Sequence, residues 1–198
     1  IRRYIIAQCD YKKGKIDSSV MERVKLLMDD LELTVEDRTV VNAAREYAEM
    51  KKECDDRYAN VVVVALELHD GTIITGRSSR RMVAAAAAVL NAIKHMCGMA
   101  DSLHLISPHI LKGIQELKTE VLMADKTSLN LEEILTALTV SATTNPSAEA
   151  VLAKLPALRG CKAHCTAILS DKDEATLKSL GIDVTSDPEY ITNNLYYG

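Results

Sequence analysis

A short loop rich in arginine and serine carries the clearest binding chemistry of the sequence. Residues 76–81 read Gly-Arg-Ser-Ser-Arg-Arg and stand just before an alanine-rich run typical of a helix. Guanidinium groups bind phosphate or carboxylate through paired hydrogen bonds, and the first turn of a helix attracts anions. The pattern therefore predicts polar or anionic ligand contacts at Arg77, Ser78 and Ser79. The alternative is a solvated loop whose arginines pair with Asp or Glu side chains.

Two other stretches place polar side chains at predicted helix ends. Ser107 is a good N-cap and Pro108 fits the first helical position, which leaves His109 in the first turn. Residues 102–106 are predicted to form a short strand before this helix, and ligands of open α/β sheets lie at the carboxyl ends of strands. Ser107 and His109 are therefore candidate contacts, with a capping serine and a surface histidine as the alternative. Asn145 is another candidate, although helix termination explains it equally well.

The segment from Cys161 to Cys165, Cys-Lys-Ala-His-Cys, would supply half of a metal site if it formed a loop. As a strand it would direct the two thiols to one face and His164 to the other, so that they could not share an ion. The sequence favours this second interpretation and predicts no metal site. Because the five cysteines are odd in number and widely spaced, we expect reduced thiols and a cytoplasmic location.

A predicted hairpin followed by a helix must position most of these groups. The β-branched runs 61–68 and 72–76 flank an Asp-Gly pair, which is a strong hairpin signal. Residues 84–88 are all alanine, so the backbone of the following helix can lie unusually close to a sheet. Further strands are expected at 161–169 and 182–184, alternating with helices. This alternation favours a mixed sheet sandwiched by helices.

The order hairpin, then helix, is that of zinc-dependent nucleoside deaminases. Those enzymes carry one zinc ligand and a proton-shuttling Glu on the first helix, and two thiolates at the start of a second helix. Here Ala87 and Val89 would take the positions of the zinc ligand and of the Glu on the first helix. His109 and Lys112 would take the positions of the two thiolates on the second helix. One possible ligand and no acid cannot hold a catalytic zinc ion. We therefore predict a cytidine-deaminase-like topology without zinc ligands.

The chain divides by pattern into two parts. Residues 1–57 contain only amphipathic helices and are predicted to form a helical subdomain. Residues 58–198 are predicted to form the deaminase-like α/β domain, with a helical insertion at about 123–157. The boundary is placed in a charged stretch that lacks regular periodicity.

Composition restricts the possible partners. The 198 residues carry a net charge of −4. A general nucleic-acid-binding protein needs a basic face, so we do not expect nucleic acid to be a partner. Since no window of about 20 apolar residues occurs, no membrane span is predicted. The chain begins at Ile1 rather than Met and already looks helical there, so we expect it to be a piece of a longer protein.

Five segments carry a family resemblance: residues 64–76, 103–108, 144–149, 158–164 and 177–182. In these the chain resembles the carboxy-terminal part of the bacterial family called domain of unknown function 1846. The resemblance implies a longer protein whose amino-terminal region holds a glycine-rich, phosphate-loop-like segment, and a nucleotide is the cofactor that such a segment would suggest for the longer protein. Some members are labelled ATP-dependent peptidases. Neither that glycine-rich segment nor an H-E-x-x-H pattern occurs here, and no cofactor is evident in this chain.

Three hypotheses follow. In the first, the chain is a deaminase-like domain without zinc that contributes a polar or anionic small-ligand site between domains of a larger protein. In the second, it is an assembly module of a homo-oligomer, formed by the helices of residues 17–54 and by Tyr190, Tyr196 and Tyr197. The third is the hydrolase that the peptidase label implies, for which no nucleophile and base are visible.

Overall fold

The computed structural model describes residues 1–55 and 59–191 of the chain. Within these ranges it contains eight α-helices and four β-strands. The helices are α1 (Arg2–Lys12), α2 (Ser18–Asp30), α3 (Thr39–Cys54), α4 (Ala84–Met96), α5 (Pro108–Glu116), α6 (Leu131–Ala142), α7 (Pro146–Leu152) and α8 (Asp171–Ser179). The strands are β1 (Val63–Glu67), β2 (Ile73–Arg77), β3 (Lys162–Cys165) and β4 (Asp183–Ser186).

The four strands form one mixed sheet in the order β2-β1-β3-β4. Strand β1 is antiparallel to both of its neighbours, with Leu66 opposite Ile74 on one side and opposite Ala163 on the other. Strands β3 and β4 are parallel and are connected through α8. A mixed sheet with helices on its faces confirms the predicted α/β class.

The β1–β2 hairpin forms where the Asp-Gly pair predicts it. Gly71 has a φ of +84°, a conformation that costs glycine little because it has no Cβ. Its N–H donates to the carbonyl of Leu68 over 3.0 Å, and the Asp70 carboxylate accepts the N–H of Thr72 over 2.9 Å. The polar backbone groups of the turn are therefore hydrogen-bonded within the turn itself, and the β-branched runs on both sides pair in register.

Helix α4 lies very close to β2, as its alanines predict. Ala85 and Ala88 are completely buried. A Cβ built on Gly76 would stand 2.1 Å from the backbone nitrogen of Ala88, so β2 and α4 meet at a point where no side chain fits. The Asn91 amide donates to the carbonyl of Thr75 over 2.9 Å and fixes the helix along the strand.

Helix α3 covers the opposite face of the sheet. Its apolar side chains Val40 and Ala44 pack against Val63 and Ala65 of β1, whose neighbours in sequence point into the larger core under α4. The described part of the predicted helical subdomain, residues 1–55, thus supplies one layer of the sandwich through α3. The proposed boundary at residue 57 lies outside the described residues and stays a prediction.

The predicted strand over residues 102–106 is wrong, since no strand forms in this described segment. Leu105 and Ile106 are buried, which explains their apolar pattern. The Leu105 carbonyl accepts a hydrogen bond from the Asn145 amide over 3.3 Å, so a side chain occupies the acceptor that a neighbouring strand would use. The strand predicted over 161–169 also ends sooner, at Cys165.

The segment between α4 and β3 is helical and packs on the α4 side of the sheet. It contains α5, a π-helical turn (Leu117–Val121), α6, α7 and a 3₁₀ turn (Leu155–Leu158). An isolated parallel bridge joins Met82 to Leu129 and connects the start of α4 with the start of α6. None of the helices in the described part of the chain combines the length and apolarity that crossing a membrane requires.

Candidate functional site

The largest of the described cavities, about 850 Å³, lies where the β2–α4 loop meets the ends of β1 and β3. A cavity of this size is typical of small-molecule sites. Its wall includes residues from the β2–α4 loop and α4, from the end of β3 and α8, from the segment before α6, and from the end of the described chain: Ser78, Val83, Ala84, Ala85, Lys118, Lys126, Asn130, Cys165, Ser170, Asp173 and Tyr190.

Three helix N-termini converge on this cavity. Two of them are capped: Ser170 caps α8, and Asn130 caps α6 by accepting the N–H of Glu133. The buried carboxylate of Asp173 joins them, because it accepts the N–H of Leu131 over 2.8 Å and the Ser170 hydroxyl over 2.6 Å. The first turns of α6 and α8 are therefore held together at one place.

The third N-terminus, that of α4, is different. No side chain of the described residues caps it, and Ala84 and Ala85 of its first turn line the cavity. The first N–H groups of a helix have no partner within the helix, and the helix dipole gives them a partial positive charge. This end of α4 therefore presents an electropositive surface to the cavity.

Charged side chains contribute little net charge to the cavity. The ammonium group of Lys118 donates to the Ser128 carbonyl and to the Glu133 carboxylate, both over 2.8 Å. It is therefore already engaged in hydrogen bonds within the protein. Lys126 lies exposed at the rim. Asp125 and Asp173 offset the two lysines in net charge, so the helix ends supply the positive potential inside the cavity and Lys126 adds a cation at its rim.

Of the six residues predicted as ligand contacts, Ser78 alone lines this cavity. Its N–H donates to the carbonyl of Val62 over 2.8 Å and its hydroxyl accepts the N–H of Val62 over 3.0 Å, which extends the hairpin by one pair. Arg77 ends β2 opposite Val63, and the Ser79 hydroxyl accepts the N–H of Met82 in a local turn.

The other three predicted residues lie on the helical segment. Ser107 caps α5 by accepting the N–H of His109 over 3.3 Å, and the His109 ring is exposed. Asn145 caps α7 by accepting the N–H groups of Ser147 and Ala148. The structure therefore does not bring these residues together with Ser78, and their role as ligand contacts stays a prediction.

The positions compared with zinc deaminases do not meet at the cavity. His109 and Lys112 lie on α5, outside its lining, whereas α8, the helix that follows β3, contributes Ser170 and Asp173. On α4, Ala84 and Ala85 belong to the cavity lining, whereas Val89 lies in the core and outside that lining.

These residues do not fit a zinc ion. Of the Cys and His side chains that zinc prefers, the described lining of the cavity contains Cys165 alone, whereas zinc sites use three or four protein ligands. The Asp173 carboxylate is already occupied by two donors. Among residues 1–55 and 59–191, no three His, Cys, Asp or Glu side chains are grouped closely enough to hold a metal.

A buried polar network lies on the other face of the sheet, where sequence reasoning missed it. His164 is fully buried, with Nδ1 2.9 Å from the Thr185 hydroxyl and Nε2 3.2 Å from Oδ1 of Asp187. The second contact is an ion-pair distance without good hydrogen-bond angles. Arg45 of α3 donates to both oxygens of Asp187, over 3.1 and 2.6 Å.

The charge on Asp187 is stabilised by this network. Burial alone would raise its pKa, but the contacts with His164 and Arg45 outweigh burial and lower the pKa to about 2. Strand alternation correctly directs His164 away from the thiols of Cys161 and Cys165, which are buried on the core face. No local pattern points to Arg45, which arrives from α3.

The order Thr185, His164, Asp187 resembles the nucleophile, base and acid of a hydrolase. Here the Thr185 side chain is buried and its hydroxyl donates to the carbonyl of Ala163 over 3.3 Å. The imidazole has no exposed surface. A substrate cannot reach the hydroxyl of Thr185 or the imidazole of His164, so the network ties β3, β4 and α3 together and gives no support to hydrolysis.

The fold and the cavity thus define an α/β domain with a potential small-ligand site and no metal centre among the described residues. Comparison with known proteins assigns its family: the chain belongs to the family described as "Domain of unknown function DUF1846, C-terminal", whose model matches residues 36–196. This confirms the resemblance that the sequence segments indicate.

The chain is also similar to longer bacterial proteins. It is 51% identical over 197 residues to a UPF0371 protein of Clostridium botulinum (strain Langeland / NCTC 10281 / Type F) and to one of Clostridioides difficile (strain 630). It is 50% identical to a UPF0371 protein of Clostridium botulinum (strain Alaska E43 / Type E3). In each comparison the match covers 100% of this chain and 39% of the relative.

Proposed function

We propose that this domain forms one side of a polar or anionic small-ligand site within a longer cytoplasmic protein. The observation that carries the proposal is the cavity of about 850 Å³ onto which the uncapped N-terminus of α4 opens. Helix N-termini bind phosphate and carboxylate groups through their free N–H donors. A nucleotide is a candidate ligand, because its phosphates match these donors and its size matches the cavity.

We further propose that the scaffold is deaminase-like and works without zinc. In support, a hairpin precedes α4, β1 runs antiparallel to its neighbours, and the cavity lies at the N-termini of the helices that follow β2 and β3. Those enzymes place their metal ligands at the corresponding helix starts. The analogy concerns the fold and the position of the site, since Ala87 and Val89 stand at the positions that the sequence comparison assigns to a zinc ligand and to the proton-shuttling Glu.

Lys126→Ala tests the site. Lys126 is exposed at the cavity rim, so its removal should leave the fold intact and weaken anion binding about fivefold, the equivalent of about 1 kcal/mol for one charged contact. The measurement is the shift in melting temperature with inorganic phosphate, pyrophosphate or ATP, since a ligand of the folded state raises stability by mass action. Lys25→Ala on α2 is the matched control and should bind like the parent.

If none of these anions raises the melting temperature of the parent chain or of the longer protein, the proposed site is wrong. Equal losses in the Lys126 and Lys25 variants would also contradict it, because they would indicate a general charge effect rather than contact at the cavity.

A second candidate function, assembly of a homo-oligomer, is favoured by α2. This helix packs mainly on α1, and its Leu26 and Leu27, together with Leu31 directly after it, are between 52% and 65% exposed. Tyr190 lies at the ligand cavity, and Tyr196 and Tyr197 lie outside the described residues.

If α2 mediates assembly, sedimentation at micromolar concentration should give a dimer or larger species that Leu27→Glu dissociates. A monomer excludes this function.

A further inference from the structure

Three irregular features coincide in one segment of seven residues beside the cavity. Residues Leu117–Val121 form a π-helical turn, a conformation often found at functional sites. Met123 has a φ of +52°, in the left-handed region that non-glycine residues seldom adopt. Four apolar side chains of the segment are exposed; we call Leu117, Val121, Leu122 and Met123 the apolar ridge.

The exposure of the apolar ridge is high. Leu117 is 49% exposed, Val121 67%, Leu122 68% and Met123 77%. Single exposed apolar residues are ordinary on protein surfaces, but a contiguous group marks a surface that contacts a partner. The left-handed backbone at Met123 is unfavourable for a residue with a Cβ, so the segment combines two unfavourable features in the isolated domain.

The backbone of the ridge is nevertheless well ordered by hydrogen bonds. The N–H of Leu122 donates to the Leu117 carbonyl and the N–H of Ala124 to the Lys118 carbonyl, both over 3.0 Å. Lys118 in turn is anchored to Glu133 of α6. The apolar side chains are therefore held outward by the fold, as a docking surface requires.

The ridge is continuous with the candidate ligand site. Lys118 lies within its span, and Ala124, Asp125 and Lys126 directly follow it; all four line the cavity. A domain or protein that packs on the ridge must therefore lie at the rim of the cavity.

We propose that the apolar ridge is the docking surface for the remainder of the longer protein, and that docking completes the wall of the cavity. The proposal that the ridge is a docking surface depends only on the observations at the ridge. The proposal that docking completes a ligand site also rests on the proposed function. The match covers 39% of each relative, and the family description places this domain at the carboxy-terminal end. More than half of the relatives' length is thus available as the occupant.

The size of the ridge favours this occupant over a second copy of the chain. Four aliphatic side chains offer a few hundred Å², whereas a stable complex of two free proteins buries about 800 Å² on each partner. Domains of one chain need less, because the covalent link holds them at an effective concentration in the millimolar range. Contacts between domains within a chain are correspondingly smaller.

Amide hydrogen exchange tests the docking. Exchange at residues 117–124 should be at least about tenfold slower in the longer protein than in the 198-residue chain, because docking adds protection to the local structure. Leu122→Glu should abolish this difference in the longer protein while leaving exchange in the chain unchanged. Val140→Glu, at a 51% exposed valine of α6, is the matched control and should preserve the difference.

Equal exchange rates in the two proteins would overturn the proposal. A second copy would be the occupant instead if the 198-residue chain sedimented as a dimer that Leu122→Glu dissociated, and this result would overturn it too. Protection of the ridge without any anion binding would confirm the docking and refute the proposed ligand site, so the two failures are distinguishable.

Discussion

Gly76→Ala should destabilise the chain by about 3 kcal/mol or prevent it from folding. The new Cβ would stand 2.1 Å from the nitrogen and 2.5 Å from the Cα of Ala88, and 2.6 Å from the carbonyl carbon of Ala87. These are backbone atoms inside a helix, which cannot rotate away as a side chain can. The helix would have to move off the sheet and loosen the core under α4, a severe case of overpacking.

Urea denaturation followed by circular dichroism measures this loss. Gly113→Ala in α5 is the matched control, because a Cβ at this position would have no atom within 4 Å. In a helix interior alanine is also more favourable than glycine by about 1 kcal/mol. The control should be as stable as the parent or more so. A Gly76 variant of unchanged stability would mean that α4 does not lie against β2 as described.

Asp187→Ala should cost about 3 kcal/mol of the free energy of unfolding. The substitution leaves the fully buried His164 and the guanidinium of Arg45 without their shared carboxylate. The cost arises mainly at His164, which stays desolvated inside the fold without its carboxylate, whereas Arg45 is 39% exposed and keeps Glu36 as a partner. The control is Glu36→Ala, which removes the other, 52% exposed partner of Arg45 and should cost about 0.5 kcal/mol or less.

The same carboxylate predicts a pH dependence. The pKa of Asp187 is about 2 in the folded chain against an ordinary value of 3.8, a difference equivalent to about 2 kcal/mol. Because the folded-state pKa is depressed, this stabilisation is present in full above about pH 5. It is lost as the pH falls through 3.8 to 2, since the unfolded chain binds its proton first.

Urea denaturation between pH 7 and pH 2 checks this dependence. The parent should lose about 2 kcal/mol more than Asp187→Ala over this range, because the variant lacks the titrating group. Parallel losses in the two proteins would mean that Asp187 is not stabilised by His164 and Arg45.

Local signals in the sequence were sufficient for the hairpin and its helix. The Asp70–Gly71 turn, the β-branched runs around it and the alanines of 84–88 each prefer the observed structure, and these preferences agree with one another. Ser107 and Asn145 likewise mark helix starts, because a cap acts on N–H groups only two or three residues away. In both cases the residue was also proposed as a ligand contact, and the cap accounts for its polar side chain.

Patterns in the sequence thus sufficed to predict the α/β class, the hairpin, the close approach of α4, the helix caps and the family. Packing in three dimensions was needed to show that Leu105 and Ile106 lie in the core without forming a strand, that Arg45 reaches His164 through Asp187, and that Ser78 shares a cavity with Asp173. The reason is physical: turns, caps and strand alternation act between near neighbours in sequence, whereas burial, charge pairing and cavities join side chains that the folded backbone alone brings together.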